Sequence, residues 1–311
     1  MTYPAITQFS KNAKSRTLII LDKSVSPGDL YNSISDRSNS LPENVIVRND
    51  IGNGELPWLL GNLGETALVQ RLERDFPALE EAGCRVFIGA ATGNNKVFLI
   101  DNSVDIEEDR KVPVVTARDI REGEVTKSEK YLINTYDDLG VINLDDYPKL
   151  KLYLEIHKEA LINRHIAKLQ PKNWFKTIDR VYPERAESEK LLIPDIKSRL
   201  EIVHESGVLH PSNSLYYICS GTWNLVALKA LLLSGIGKLF IETYSTKVAN
   251  GFLRFQSQHL RRIRIPHWAD IAPEVQDKLI KAGQFDDVNS AKMIIKNLYM
   301  LTDYESELLG I

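Results

Sequence analysis

The sequence predicts an α+β protein with mixed and antiparallel sheets, several helices and a helical C-terminal tail. Two observations predict it. Short β-rich runs and helical periodicities follow one another without the regular βαβ alternation of a doubly wound sheet. The last forty residues carry an amphipathic helical pattern and no strand signal. At 311 residues, 43% hydrophobic and 26% charged, the chain is long enough to bury a core without disulfides or metals.

The elements follow in order. Thr17–Leu21 and Val45–Val47 read as short strands around a helix that starts near Asp29. Gly52, Gly54, Gly61 and Gly64 punctuate a loop ending at Glu65, after which Leu68, Leu72 and Phe76 recur at helical spacing as far as Pro77. Arg85–Ile88 and Lys96–Ile100 are β-rich runs joined by residues 89–95, a hairpin-like or glycine loop. Pro148 opens a helix of about five turns whose one face carries Leu150, Tyr153, Leu154, His157, Leu161 and His165. The two histidines on that face read as satisfied core residues. Lys190–Ile193, Ile202–His204 and Leu215–Cys219 read as strands. Trp223–Ser234 and Ile236–Tyr244 read as apolar helices broken near Gly235, and Pro273–Leu309 as the helical tail.

Composition narrows the function. No run of about 18 apolar residues is present, so a membrane partner is not expected. The N-terminal residues lack the apolar core of a secretory signal. Two cysteines, Cys84 and Cys219, are too few for a disulfide framework and read as buried thiols of a cytoplasmic protein.

The net charge of −3 hides a segregation. Residues 101–146 hold thirteen acids and six bases, whereas residues 148–182 hold eight bases and three acids. Residues 246–268 hold five bases (Lys247, Arg254, Arg261, Arg262, Arg264) and no acid. Bases interleaved with Asn250, Phe252, Phe255, Gln256, Gln258 and His259 suit a polyanion: arginines and amides reach phosphates and base edges, and aromatics stack on unpaired bases. Such runs are also ordinary solvated faces, and only their meeting on one surface would make an interface.

Self-sufficient catalytic motifs are missing. Neither Gly52-Asn-Gly54 nor Gly235-Ile-Gly237 completes a dinucleotide fingerprint, and no phosphate-binding G-x-x-x-x-G-K-[ST] loop exists. One pattern survives as an alternative reading. Asp179, then Asp195-Ile-Lys197 at a strand end, has the layout by which a metal-dependent nuclease holds Mg²⁺ beside a phosphate.

A set of collinear motifs carries a resemblance. It runs from Tyr3-Pro-Ala-Ile-Thr7 through Leu72-x-x-x-Phe76-Pro-x-Leu79, Ile88-Gly-Ala-Ala-Thr-Gly-Asn-Asn-Lys-Val-Phe98 and Tyr131-Leu-Ile-Asn134. It continues with Lys172-Asn-Trp-Phe-Lys-Thr-Ile-Asp-Arg180, Lys190-Leu-Leu-Ile-Pro-Asp-Ile-Lys197, His210-Pro-Ser-Asn213 and residues 251–266. Together they resemble the C-terminal half of TaqI-like DNA adenine-N6 methyltransferases of restriction–modification systems, including the target-recognition domain. In that family the catalytic domain precedes this region and brings an S-adenosylmethionine loop and an Asn-Pro-Pro-Tyr/Phe motif. This chain has no Asn-Pro dipeptide. The resemblance therefore implies that residues 1–50 are edge strands of a methyltransferase sheet, 51–82 a helical connector, 83–266 the DNA recognition domain and 267–311 the tail. It implies double-stranded DNA and a methyltransferase catalytic domain, fused or separate, as partners. It also implies that S-adenosylmethionine serves the complete enzyme and that this chain alone binds no cofactor and is inactive.

Roles follow under the resemblance. A base that is to be methylated must leave the stack, and the recognition domain must grip the duplex around it. Thr92, Gly93, Asn94, Asn95 and Lys96 form a loop in which glycine permits close backbone approach and the amides suit base edges; a plain turn would use the same residues. Lys172, Lys176 and Arg180 are expected on phosphates, and Trp174 at the interface or in the core. Lys247, Asn250, Arg254, Gln256, Gln258, Arg261 and Arg262 are expected to share base and phosphate contacts. Adjacent Arg261 and Arg262, if extended, point to opposite sides. Phe255 and Leu260 are expected to face inward. Asp179 and Asp195 are expected to orient Arg180 or Lys197.

Overall fold

The computed structural model describes residues 62–126, 129–245 and 252–311, together with residues 17–20, 28, 45–48 and 59. The helix expected near Asp29, Gly52, Gly54 and Gly61, and the site residues Lys247 and Asn250, lie outside the described residues.

Two short strands come first, β1 (Thr17–Ile20) and β2 (Val45–Arg48), paired antiparallel. Helix α1 (Leu63–Asp75) starts where the Asn62 side chain accepts the Gly64 and Glu65 amides, and it buries Leu68, Val69 and Leu72. A central antiparallel sheet then gathers β3 (Cys84–Ile88) with strands from much later in the chain. A one-turn helix, α2 (Asn95–Phe98), leads into β4 (Leu99–Asp101), which belongs to a second sheet with β5 (Lys111–Val115) and β6 (Lys130–Ile133). Helices α3 (Pro148–Ile156), α4 (Lys158–Ile162), α5 (His165–Leu169) and α6 (Glu184–Glu187) follow.

The chain next supplies β7 (Lys190–Pro194), β8 (Ile196–Lys197), β9 (Val203–Glu205), β10 (His210–Pro211) and β11 (Leu215–Ser220). Helices α7 (Leu225–Leu231) and α8 (Gly237–Tyr244) are separated by a kink at Gly235, the break the sequence predicts. Strand β12 (Leu253–Arg254), helix α9 (Ser257–Leu260) and the tail helices α10 (Pro273–Gln284), α11 (Val288–Leu298) and α12 (Asp303–Leu308) complete the fold.

The central sheet runs β9-β7-β11-β3, all antiparallel; the second runs β10-β5-β6-β4, with β10 parallel to β5. The pleat divides the central sheet's side chains between two cores. Cys84, Val86, Leu191, Ile193, Tyr216 and Ile218 face the main core, which α1, α7, α8 and tail residues Ile271, Ile295, Tyr299 and Leu301 cover. Leu192, Val203, Leu215 and Tyr217 face a smaller one shared with Val115 and Ile120. A separate core of residues 90–186 lies under the second sheet and α3. At the margin of the central sheet, cross-strand Lys190 and Glu205 form a buried ion pair. All three ammonium donors are used, since Lys190 Nζ also reaches the carbonyls of Ala186 and Leu209.

Four expectations fail here. Residues 89–95 make no hairpin, because β3 and β4 lie in different sheets. The loop is a crossover, anchored where Gly89 N donates to Leu215 O and Ala90 N to Pro211 O. A Cβ at Gly89 would sit 2.1 Å from Ser212 O and 2.4 Å from Pro211 O, so only glycine fits this backbone approach. The single long helix after Pro148 is α3, α4 and α5: it breaks first at His157 (φ −96, ψ 8) and again at Arg164, which adopts extended dihedrals (φ −67, ψ 145). His157 is half-buried and His165 exposed, so neither is a core histidine. Cys84 is a buried free thiol as expected, but Cys219 is only half-buried. No helix among the described residues is long and apolar enough to cross a membrane.

His210 lies in β10 with 2% of its surface exposed; its Nδ1 donates to Pro211 O and its Nε2 has no partner among the described residues. Burial holds the imidazole down at about 4 from an ordinary 6.5. The folded chain thus keeps His210 neutral where the unfolded chain protonates it. Its stabilising contribution is complete above pH 6.5 and is lost as the pH falls toward 4. Urea titrations at pH 7 and 4.5 should show a loss of about 2.5 kcal/mol from this group. His210→Gln should remove that part of the pH dependence; an equal acid loss in both proteins would contradict the assignment.

Candidate nucleic-acid interface

The glycine-containing loop and the segment after α5 are joined into one platform by Arg164. Because Arg164 leaves the helix, its guanidinium reaches carbonyls in three segments: Leu161 O (3.1 Å), Thr92 O (2.8 Å), Trp174 O (2.7 Å) and Lys176 O (2.9 Å). It lies over the Phe98 ring, 5.0 Å from the centroid, and no carboxylate pairs with it among the described residues. Burial lowers its pKa. A base counted in the sequence as part of a polyanion-attracting run is therefore an internal fastening.

A second fastening runs alongside. Asp179 N donates to Ala91 O at 3.0 Å and Ala91 N donates back to the Asp179 carboxylate at 2.8 Å. Thr177 N donates to Thr135 Oγ1, and Tyr136 OH donates to Thr177 O. Asn213 N donates to Ala90 O, bringing a third segment to the same place. Ile178, 48% exposed, covers Gly93: a Cβ there would meet its Cδ1 at 3.0 Å and Arg164 Nη1 at 3.3 Å, and Gly93 has φ +78.

The predicted residues divide sharply on this platform. Thr92 is buried; its hydroxyl donates to Asn95 Oδ1 and accepts from Asn94 N, so it shapes the loop and does not face solvent. Gly93, Asn95 and Lys96 are exposed and Asn94 half-buried. The Asn94 side-chain amide, unlike its backbone N–H, has no partner among the described residues, leaving both its donor and acceptor sides open. Lys172 is exposed and Lys176 is buried. Trp174 is half-buried, packed edge-on to Phe175 with the Lys158 ammonium 4.9 Å from its ring centre. Arg180 donates to Asp137 O and lies over Tyr182. Lys96 and Lys172, with Lys168 on α5, are exposed and in no ion pair with a described residue. The other exposed lysines of the basic run, Lys149, Lys151 and Lys158, pair with Asp105, Asp145 and Glu155.

The acid-free run behaves differently. Arg261 Nε donates to Glu80 at 3.0 Å and its Nη2 to Val86 O, Arg262 pairs with Glu73 at 3.0 Å, and Arg264 reaches Glu81 at 3.5 Å. Arg262 also lies 4.2 Å from the Tyr244 ring centre and donates to its hydroxyl. Burial, and then the Glu73 carboxylate beside it, push the Tyr244 hydroxyl up to about 12. Arg261 and Arg262 follow the one-turn helix α9 and are not on an extended segment, so their opposite-side geometry does not arise. Both turn toward α1 and the α1–β3 connection. Arg254 pairs with Asp195 at 3.1 Å. Gln256 is half-buried, Gln258 exposed, and Phe255 and Leu260 face inward as expected.

The expected pairings of Asp179 with Arg180 and of Asp195 with Lys197 are not formed. Asp179 caps the loop, Asp195 holds Arg254, and Lys197 pairs with Glu201 at 2.8 Å. Among the described residues no group of three or more His, Cys, Asp or Glu is placed to hold a metal ion. Sequence reasoning missed Lys168 and Asn213 as platform residues, although Asn213 closes the His210-Pro-Ser-Asn213 motif.

The TaqI-like C-terminal specificity domain matches residues 112–265. These residues belong to that family. Across the whole chain, 44% of 316 aligned residues are identical to the Type II methyltransferase M.PaeR7I of Pseudomonas aeruginosa, covering 55% of that protein. Likewise 39% of 319 are identical to the Type II methyltransferase M.XhoI of Xanthomonas vasicola, covering 58%. The chain thus spans a little over half the length of these relatives. In fold it is similar to the Type IIL restriction-modification enzyme MmeI, solved in complex with DNA, with a TM-score of 0.53 at 10% identity over 72% of this chain and 35% of that one.

The ion pairs of the specificity domain generate a prediction. Arg262→Ala should lower stability by about 1–2 kcal/mol, since its partners are partly buried and a hydroxyl and a ring are lost with the charge. Arg261→Ala, at a more exposed pair, should cost less than about 1 kcal/mol. Neither folded variant should change the salt dependence of DNA binding; a slope reduced by about one with stability intact would make that arginine a phosphate contact.

Proposed function

We propose that this chain is the sequence-reading part of a DNA adenine-N6 methyltransferase of a restriction–modification system and binds a short double-stranded site. The observation that carries the reading is the rigid platform of residues 89–96, 172–180 and 211–214. It presents an asparagine side-chain amide and exposed lysines, none of them with a hydrogen-bonding or carboxylate partner among the described residues. Lysines placed so take phosphates, and an amide held by its backbone reads a base edge. Membership of the specificity-domain family and the names of the methyltransferase relatives support it. The recognition unit is proposed to span residues 83–266, backed by α1 and the tail helices, with the catalytic domain of the longer protein as its partner. Thr92 and Lys176 act within it through loop shape, Gly93, Asn94, Asn95, Lys96 and Lys172 through contact.

S-adenosylmethionine would serve methyl transfer in such a protein, but the glycine pair at Gly235 and Gly237 does not fit it. Gly235 and Gly237 are packed inside the α7–α8 turn: a Cβ at Gly237 would sit 2.7 Å from Leu200 Cδ2 and 2.8 Å from Leu232 O, leaving no cradle. No step of the transfer is therefore assigned to this chain.

Equilibrium binding to duplex DNA across a salt series tests the reading. Lys96→Ala and Lys172→Ala should each weaken binding to all sequences and reduce the salt slope by about 0.9. Asn94→Ala should leave the slope alone and relax discrimination at one base pair by about 1–3 kcal/mol. Wild-type protein without salt-sensitive duplex binding would overturn it.

A further inference from the structure

We propose that Arg164 is a positioning residue for sequence discrimination: it never touches DNA, yet it sets the relative placement of the two loops that do. The inference rests on the DNA-reading function proposed above. Four of its five guanidinium donor positions are directed at carbonyls of Leu161, Thr92, Trp174 and Lys176. Thr92 O immediately precedes residues 93–96, and Trp174 O and Lys176 O follow the exposed Lys172, whereas Leu161 O anchors the fork to α4. The guanidinium itself is half-buried beneath Gly93 and Ile178 and stacked over Phe98.

The choice of partners matters. A carboxylate at this place would cancel the charge and tie Arg164 to one segment. Carbonyls accept hydrogen bonds without cancelling it, and the planar fork addresses several at fixed angles. Base-edge readout tolerates little displacement, because a bidentate amide contact fixes both distance and direction. Phosphate contact by a flexible lysine is far more forgiving. Loosening the fork should therefore impair discrimination and leave non-specific affinity nearly unchanged. Lysine cannot substitute: its ammonium keeps the charge but has three donors in a tetrahedral arrangement that cannot span the same carbonyls.

The test uses the full chain. A preferred duplex is first selected with wild-type protein from a pool of randomised 25-base-pair duplexes. Affinity for that duplex and for a scrambled one is then measured across a salt series for wild type and Arg164→Lys. The expected result is a preference reduced at least tenfold, with scrambled-duplex affinity within twofold of wild type and both salt slopes unchanged. Circular dichroism and thermal melting establish that the variant is folded at the assay temperature. A merely structural role would leave the preference of the folded fraction unchanged, and that result overturns the proposal. A salt slope lowered by about one would make Arg164 itself a phosphate contact and overturns it too. If Arg164→Lys does not fold, Arg164→Met gives the same comparison, since it keeps an unbranched stem over Phe98 and removes a desolvated charge; its unchanged preference would equally overturn the proposal. Wild-type protein that binds duplexes without any selected sequence overturns this inference alone. Wild-type protein that binds no duplex overturns the DNA-reading function together with it.

Discussion

The arrangement of the candidate interface depends on one guanidinium that no carboxylate among the described residues answers. Arg164 breaks the helix that its neighbours' periodicity would continue, because extended dihedrals at this residue let the side chain reach Thr92 O, Trp174 O and Lys176 O together. The break costs helical hydrogen bonds and separates α4 from α5. What it gains is a fixed distance between two loops 72 and 10 residues away in sequence. The reciprocal Asp179–Ala91 hydrogen bonds and the backbone approach at Gly89 then fasten the same loop to the rest of the fold. Such a platform can hold an amide still, as direct readout of a base requires.

Charge in space differs from charge along the chain. The run with five bases and no acid looks from sequence like the more promising polyanion surface. In the fold, Glu73, Glu80 and Glu81 from α1 and its connection answer Arg262, Arg261 and Arg264, and Asp195 answers Arg254. These pairs dock the chain around α9 onto the main core, where Leu79 N also donates to Ile263 O and Ile265 N to Pro77 O. The mixed run of residues 148–182, less pure in sequence, is the one that leaves Lys168 and Lys172 in no ion pair with a described residue. Purity of a charged run says nothing about what folds against it.

The parts legible in sequence were those set by local periodicity. Helix α1, the strands β7, β9 and β11, the kink at Gly235 and the tail helices follow from residue spacing and from punctuation by glycine and proline. The collinear motifs pointed to the family that residues 112–265 match. Sheet membership was not legible: the turn chemistry of residues 89–95 suits a hairpin, and only tertiary packing of Gly89 against residues 211–212 sends the chain to a second sheet. Nor could periodicity show that Arg164 leaves its helix, since the deciding acceptors lie on distant loops. In the site, exposed Lys96, Lys172 and Asn95 were visible as residue types, whereas the inward roles of Thr92 and Lys176 depend on burial that spacing does not encode.

Backbone hydrogen–deuterium exchange with and without a tightly bound duplex tests the central claim most directly, because it reports both surfaces in one measurement. The account predicts that DNA slows exchange in residues 91–97 and 172–180 and leaves residues 253–264 unchanged. Protection confined to residues 253–264, with the loop platform exchanging as in the free protein, would contradict it.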